Sequence, residues 1–564
     1  MAIRAENPYA LWSHMPSTIR PILIFSCFLL SLRAEDDSAK LEQLFASGTS
    51  RIEIPAGDYH LNGAKPIPLT SGTTVHAQGA RFHFPAQLTG DVRLILFSGK
   101  DLHDFSWHGG EFLGHVFDPA IPENAWEPAA NTRAIEITAT QPGGTHDLLF
   151  RDVKSDGIAG AVIGVHGLAK KGSESEVEAY AERVVLDNCT LLRSGKFMWD
   201  YGYLWQLLTW PEEYEPWEVE RARRYFRMDL VKAPLTIDAG DDRIRLVNTT
   251  RPIPVSPDAE PKHALSFLGN ALPKPLTRGR QYFVVESAPD FLRIAETPGG
   301  PAIRFETASG KDLALVHNLF AAFWALYAPT GSGPGKGAFD ITAAKDVRIT
   351  GCVLSALGDT MHIQRCRNIV FAQNQITGSR MGAFFLAEYC QNATITGNLV
   401  DGTNGSRVIS VEKSCEDVVI AGNTFRNGGR GSWINQPKNF VLANNVFVNN
   451  TTKAEPDLRR GRRSYETGQP RRFPELYFTL HEPEGHYGPV IVRDNIFQLR
   501  DSTPIDAITF APNGANLQMS GNAFTGQPIS VAIAVDPSCT GVVIENNPGA
   551  ERKRTTIDFH HGRR

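Results

Sequence analysis

Asp359 and His362 stand in the segment DTMHIQ of this 564-residue chain, and Arg407 and Glu412 stand in RVISVEK. Carboxylates and imidazoles pass protons. A pair of carboxyls roughly 6.5–9.5 Å apart is the arrangement that cleaves a glycosidic bond with inversion. Trp433 and Asn435 in GSWINQ, and Tyr477 and His481 in ELYFTLH, add flat rings and polar groups able to hold a sugar face. Asp359 and Glu412 are the expected acid/base pair, with His362 beside them. Gln364, Glu388, Arg407, Trp433, Asn435, Tyr477 and His481 are the expected substrate contacts. Arginines at 459, 460, 462, 463, 471 and 472 lead into ELYFTLH. Their forked guanidinium groups suit an anionic glycan, and Arg462 and Arg463 are taken as further contacts.

These residues form one site only if a regular scaffold stacks them. Seven segments supply it: FAQNQI (Asn374), ITGNLV (Asn398), IAGNTF (Asn423), LANNVF (Asn445), VRDNIF (Asn495), MSGNAF (Asn522) and IENNPG (Asn547). Successive spacings are 24, 25, 22, 50, 27 and 25 residues, the 50 being two periods or one long loop. Cys366, Cys390, Cys415 and Cys539 each lie eight residues before the Asn of their repeat, and Cys189 and Cys352 extend the Asn column backwards. A fixed period of this size is the mark of a solenoid. Within each repeat, short β-branched runs alternate with Gly-Asn-Ser turns and no amphipathic helix intervenes, so each repeat is a coil of three short strands. The fold class is all-β, a parallel β-helix. The Asn column is read as a structural amide ladder and the Cys column as buried apolar filler. No CxxC-type ligand pairs occur, so no metal or other cofactor is expected.

The apolar residues set the register. Met361 and Ile363, Phe384 and Leu386, Ile409 and Val411, and Phe478 and Leu480 face inward. His362, Gln364, Glu412, Trp433, Asn435, Tyr477 and His481 then face outward. Asp359 and Arg407 lie at strand starts, and at Glu388 the Cys and apolar registers differ by one residue. Adjacent strands lie about 4.8 Å apart, so residues two coils apart are separated by about 9.6 Å.

Fifty Gly and 36 Pro fit a turn-rich β protein, and a formal charge of −4 selects neither nucleic acid nor a membrane surface. Arg20 followed by PILIFSCFLLSL and a junction near Ala34 has the form of a signal peptide over residues 1–34, with no membrane span after its removal. A secreted or periplasmic monomer is expected. Residues 35–202 are assigned to a cap and the first coils, with a short helix over Ala39 to Phe45. Residues 203–336 are assigned to an insertion, helical across EEYEPWEVERARRYFRMDL and then strands in RIRLVN, HALSFLG, QYFVVES, FLRIAE and AIRFE. Main coils fill 337–550, and 551–564 form a polar, frayed tail.

The cap and coils together resemble the pectate-lyase-like superfamily, which implies a right-handed, single-stranded parallel β-helix. RGRQYFVVESAPDFLRIAETPGGPAIRF resembles a small module of phage-tail-like proteins. The nearest functional resemblance is to polygalacturonase-type glycoside hydrolases. KSDGI (Asp156) is similar to their Asn-x-Asp motif with Lys154 at the Asn position, and LGDTMHI (Asp359) keeps one Asp of their Asp-Asp pair. SRMGAFF keeps the Gly (Gly382) of their His-Gly motif without its His, and Arg407 stands in for their Arg-x-Lys. The resemblance implies hydrolysis of an acidic polysaccharide, with Asp156 near the substrate. A polysaccharide lyase, using Arg407 with His362, Tyr477 or His481, and a non-catalytic glycan-binding or adhesion protein are the alternatives.

Overall fold

The computed structural model describes residues 36–63, 65–86, 93–116, 131–195, 210, 212, 216, 235–246, 252–259, 263–269, 271–307, 313–317, 336–379, 381–403, 406–450, 473–482, 484–500 and 503–557. Three long parallel sheets of 13, 12 and 13 strands run along the molecule, and each coil visits them in the same order. The first sheet runs from Arg51–Glu53 to Val543–Glu545, the second from Gly57–His60 to Ala523–Gly526, and the third from Ile67–Pro68 to Glu551–Arg554. This is a right-handed parallel β-helix.

The strands form because apolar residues recur at every second position and point into one continuous core. Phe425, Phe447, Phe497 and Phe524 stack along one column with centroids 5.1, 4.7 and 5.0 Å apart. Burying each such ring contributes about 1.5–3 kcal/mol. The helix Ser38–Phe45 closes the first coil, setting Phe45 against Phe97 and Trp107 and covering an otherwise open apolar cross-section.

The asparagine column is a ladder. Asn398 Oδ1 accepts from both the backbone N–H (2.9 Å) and Nδ2 (3.2 Å) of Asn374, while Asn398 Nδ2 donates to the Phe371 carbonyl (3.0 Å). The pattern repeats through Asn423, Asn445, Asn495 and Asn522 to Asn547. Cys352 occupies the same column, its N–H donating to Asn374 Oδ1. Turn amides that would otherwise be buried without partners are thereby satisfied. Cys366, Cys390, Cys415 and Cys539 are buried free thiols that point their Sγ at carbonyls of the preceding coil.

Of the two readings of the 50-residue spacing, a single repeat holds, because Asn445 and Asn495 bond directly. Other expectations are refined or corrected. Glu551–Arg554 is not frayed; it adds the last strand of the third sheet, beside Val531–Val535. The insertion sits inside a single coil, since Thr190 and Val353 are neighbours in register, and the main coils resume at Lys336. Its described part is a six-stranded antiparallel sheet with its own core. Ala314–His317 is a strand in that sheet, whereas AIRFE is not: Ile303 and Phe305 bond to Ile294 and Asp241 as irregular backbone. The signal-like segment and most of the expected insertion helix lie outside the described residues. No helix among the described residues is long and apolar enough to cross a membrane.

Candidate functional site

The outer face of the third sheet differs from an ordinary solvated solenoid face. In the strand Asp359–Gln364 every residue but the last is buried, although Asp359, Thr360 and His362 are polar. In Lys336–Thr342 the outward Asp340 is fully excluded from solvent. The face is therefore a recessed floor. The insertion enters and leaves the helix at the side where third-sheet strands begin, between Ser194 and Lys336. At the opposite side a hairpin (Leu168–Ala169 and Val177–Ala179) reaches along the coils. Its Glu174 carbonyl accepts from Arg365 Nε at 2.5 Å, and its carboxylate accepts from Tyr389 Oη at 3.2 Å and lies 3.8 Å from Lys413 Nζ.

Asp340 is the centre of the floor. Its Oδ1 accepts from His362 Nδ1 at 2.8 Å, and its Oδ2 accepts from Arg133 Nη2 at 3.0 Å. Arg133 Nη1 also donates to His166 Nε2 at 2.9 Å. Strands Asn131–Thr138, Ile163–His166, Lys336–Thr342 and Asp359–Gln364 are successive neighbours, so four coils contribute one group each. Arg133 reaches its partner by passing over Gly164, where an added Cβ would sit 2.5 Å from Nη1 and 2.9 Å from His166 Nε2. A larger residue there would push on both side-chain tips.

Burial raises the Asp340 pKa, but His166, the His362 hydrogen bond and Arg133 outweigh it and hold the carboxyl well below the usual range. Burial pushes the His166 pKa down, and Arg133 Nη1 approaches its Nε2. A carboxylate facing Nδ1 favours a proton on that nitrogen and leaves Nε2 turned away from Asp340.

Asp359 sits at its strand start, accepting from Lys336 Nζ at 2.9 Å and from the Gly382 N–H at 2.8 Å. Lys336 Nζ also lies 4.4 Å from the Phe385 ring, which tilts against His362 at 5.8 Å. Further along, the Arg407 guanidinium lies 4.2 Å over the Trp433 ring, and Trp433 is in register with Ser410 and Tyr477. Ser410 Oγ, Thr360 Oγ1, Asn435 Oδ1 and Thr479 Oγ1 are buried without a hydrogen-bond partner, and all lie on third-sheet strands. Buried polar atoms are normally satisfied, so this concentration sets the third-sheet face apart from the rest of the solenoid.

The expected residues divide. Asp359, His362, Arg407, Trp433 and Tyr477 share the floor. Gln364 and Glu388 form a separate group at the strand ends, where Gln364 Nε2 donates to Glu388 Oε2 at 2.7 Å and Lys413 Nζ lies 2.9 Å from Oε1. Burial raises Glu388, but Lys413 and Gln364 outweigh it and lower its pKa. Glu412 and Asn435 also lie towards the strand ends, with Asn435 Nδ2 donating to Leu480 O at 3.3 Å.

The pairing of Asp359 with Glu412 as acid and base is corrected. Asp359 aligns with Gly382 and Arg407, and Glu412 follows Arg407 by five residues. That places the two carboxyls about 16 Å apart along the strand direction, in addition to the two-coil separation. His481 lies past its strand, its N–H donating to Gln436 Oε1 at 3.0 Å. Asp156 is on the second sheet, bonded by Arg193 Nε at 2.6 Å, away from the third-sheet face. Arg462 and Arg463 lie outside the described residues. Asp340, Arg133 and His166 were not foreseen; the signal available was their alternation in RAIEITAT, GAFDIT and VIGVHG.

Residues 330–470 match the NosD family, described as periplasmic copper-binding protein. No curated protein matches the chain. Among solved structures, the Streptococcus pneumoniae surface protein and adhesin PfbA is 12% identical, covering 93% of this chain and 97% of its own, with a TM-score of 0.40. Endo-xylogalacturonan hydrolase from Aspergillus tubingensis is 10% identical, covering 93% and 96%, with a TM-score of 0.36. A tailspike protein of the E. coli bacteriophage HK620, solved with a pentasaccharide, is 10% identical, covering 91% and 76%, with a TM-score of 0.38. At these identities and scores the likeness carries nothing about chemistry.

Proposed function

We propose that the protein is an exported carbohydrate-active enzyme whose third-sheet groove takes an acidic polysaccharide and cleaves it by β-elimination. A base takes the proton α to the uronate carboxylate, the bond to the β-oxygen breaks, a carbon–carbon double bond forms, and the departing oxygen takes a proton from solvent. The observation that carries this reading is the 2.8 Å bond between His362 Nδ1 and the buried Asp340. A carboxylate holding an imidazole by Nδ1 fixes the tautomer and orients Nε2 as a base or acid. Arg407 over Trp433 offers a cation and a ring together, suited to a uronate carboxylate and its sugar face. Lys336 and Asp359 fix the floor beside the histidine.

Elimination suits this set better than hydrolysis, because the two expected carboxyls are far beyond the roughly 6.5–9.5 Å span that inversion uses. The copper-binding description of the matched family has less behind it here. In the matched segment Cys352, Cys366, Cys390 and Cys415 are buried against backbone carbonyls, and His362 is held by Asp340.

The test is a panel of acidic glycans followed by ultraviolet absorbance, since elimination leaves a new double bond and hydrolysis does not. The reading expects an absorbing product from at least one uronate glycan, lost in His362→Gln while glycan binding persists. Products without absorbance would move the protein to the hydrolases. Binding without any product would make it a glycan-binding or adhesion protein.

A further inference from the structure

We propose that His103, Asp104 and His146 form a surface site for a divalent transition-metal ion of the Cu(II) or Zn(II) class. The strands His103–His108 and His146–Arg151 are neighbours in the first sheet, with His146 directly opposite His103. Each begins with the dipeptide His-Asp. Asp104 and Asp147 adopt φ of 49° and 54°, a conformation Asp tolerates. Each aspartate bonds its own histidine, Asp104 Oδ2 to His103 Nδ1 at 2.9 Å and Asp147 Oδ2 to His146 Nδ1 at 2.8 Å.

Parallel pairing stacks the imidazoles with centroids 5.1 Å apart and planes 20° from parallel. A ring nitrogen from each and a carboxylate oxygen of Asp104 lie within 4.8 Å of one another. Asp147 is unsuited as a ligand because Arg183 grips both its oxygens, at 2.6 and 2.9 Å. Two imidazoles and one carboxylate are a donor set for zinc or copper, with a fourth position left to water. Metal–ligand bonds of about 2.0–2.1 Å require the donors to close to roughly 3.3 Å. The side chains are 45%, 60% and 27% exposed, so the closure asks for side-chain rotation on the surface rather than movement of the core. The site lies on a different sheet from the groove and outside residues 330–470, so it stands independently of the proposed activity.

Titration of the full chain with Cu(II), followed by calorimetry and electron paramagnetic resonance, tests the site. One ion per chain with nitrogen coupling from two imidazoles is expected. His146→Ala should remove one nitrogen from the spectrum and weaken binding at least about tenfold, and Asp104→Asn should weaken it less. His76→Ala, which breaks another stacked pair on the same sheet (His76 and His108, 5.2 Å), should leave binding unchanged. Undiminished binding in His103→Ala and His146→Ala, or no stoichiometric binding of either Cu(II) or Zn(II), would overturn the proposal.

Discussion

The first and third sheets are built from the same coils and share one core, yet their outer faces are opposites. In the first-sheet strand Arg367–Ala372, the outward residues Arg367, Asn368 and Val370 are exposed, Val370 at 39%. One turn earlier in the same coil, outward-facing His362 is 5% exposed and lies next to Asp340 at 0%. Solenoid geometry alone produces the first pattern. The second requires walls beside the sheet and residues that accept burial of charge, which is costly unless the charges are paired. Three third-sheet variants, with one first-sheet control, probe the contrast.

The largest effect is expected from Asp340→Asn. It strips Arg133 and His362 of their carboxylate, and breaking a buried pair from one side costs about 3–5 kcal/mol. Denaturant unfolding should show that loss together with loss of turnover. A first-sheet change such as Val370→Ser should stay within about 0.5 kcal/mol of the parent. Equal effects of the two would erase the distinction between the faces.

Next comes Glu475, fully buried where the strand Leu476–Thr479 begins, with Oε1 accepting from Asn450 Nδ2 at 2.8 Å and Oε2 without a partner. Burial pushes its pKa from 4.5 up to about 8. The folded state therefore holds a proton that the unfolded chain has released. Stability from this group is fully present below about pH 4.5 and is lost as pH rises to about 8. Glu475→Gln should raise the melting temperature at pH 9 and leave it unchanged at pH 4. A uniform shift at both would show that Glu475 is ionised throughout.

The smallest of the three is Trp433→Ala, which removes the ring under Arg407. Glycan affinity should fall by about tenfold, the scale of roughly 0.5–2 kcal/mol for a cation–ring contact plus lost stacking area. Trp433 faces outward but is only 7% exposed, so some stability is lost as well, and affinity is read where the variant is folded. A large stability loss with unchanged affinity would make it a packing residue.

The fold was legible because ladder residues have to recur. Asn398 serves both the coil before and the coil after it, so its position is fixed and its spacing prints in the sequence. A second polar ladder, Asp346–Asn368–Asn392, escaped notice because it mixes Asp with Asn and sits in exposed turns. The site was half legible. Apolar alternation correctly sent His362 and Trp433 outward, but parity says nothing about how far along a strand two residues lie. Parity alone therefore pairs Asp359 with Glu412 although five residues of strand separate their positions. Arg133 and Asp340 are 207 residues apart in sequence, and what joins them is the register restored after the insertion. No local pattern records that.

The most direct test of the groove is hydroxyl-radical footprinting of the full chain with and without a saturating acidic oligosaccharide. Protection of Tyr477 and Arg407, the partly exposed side chains of the third-sheet face, with His103 and His146 on the first sheet unchanged, is the predicted result. Protection confined to the first sheet, or none on the third, would contradict it.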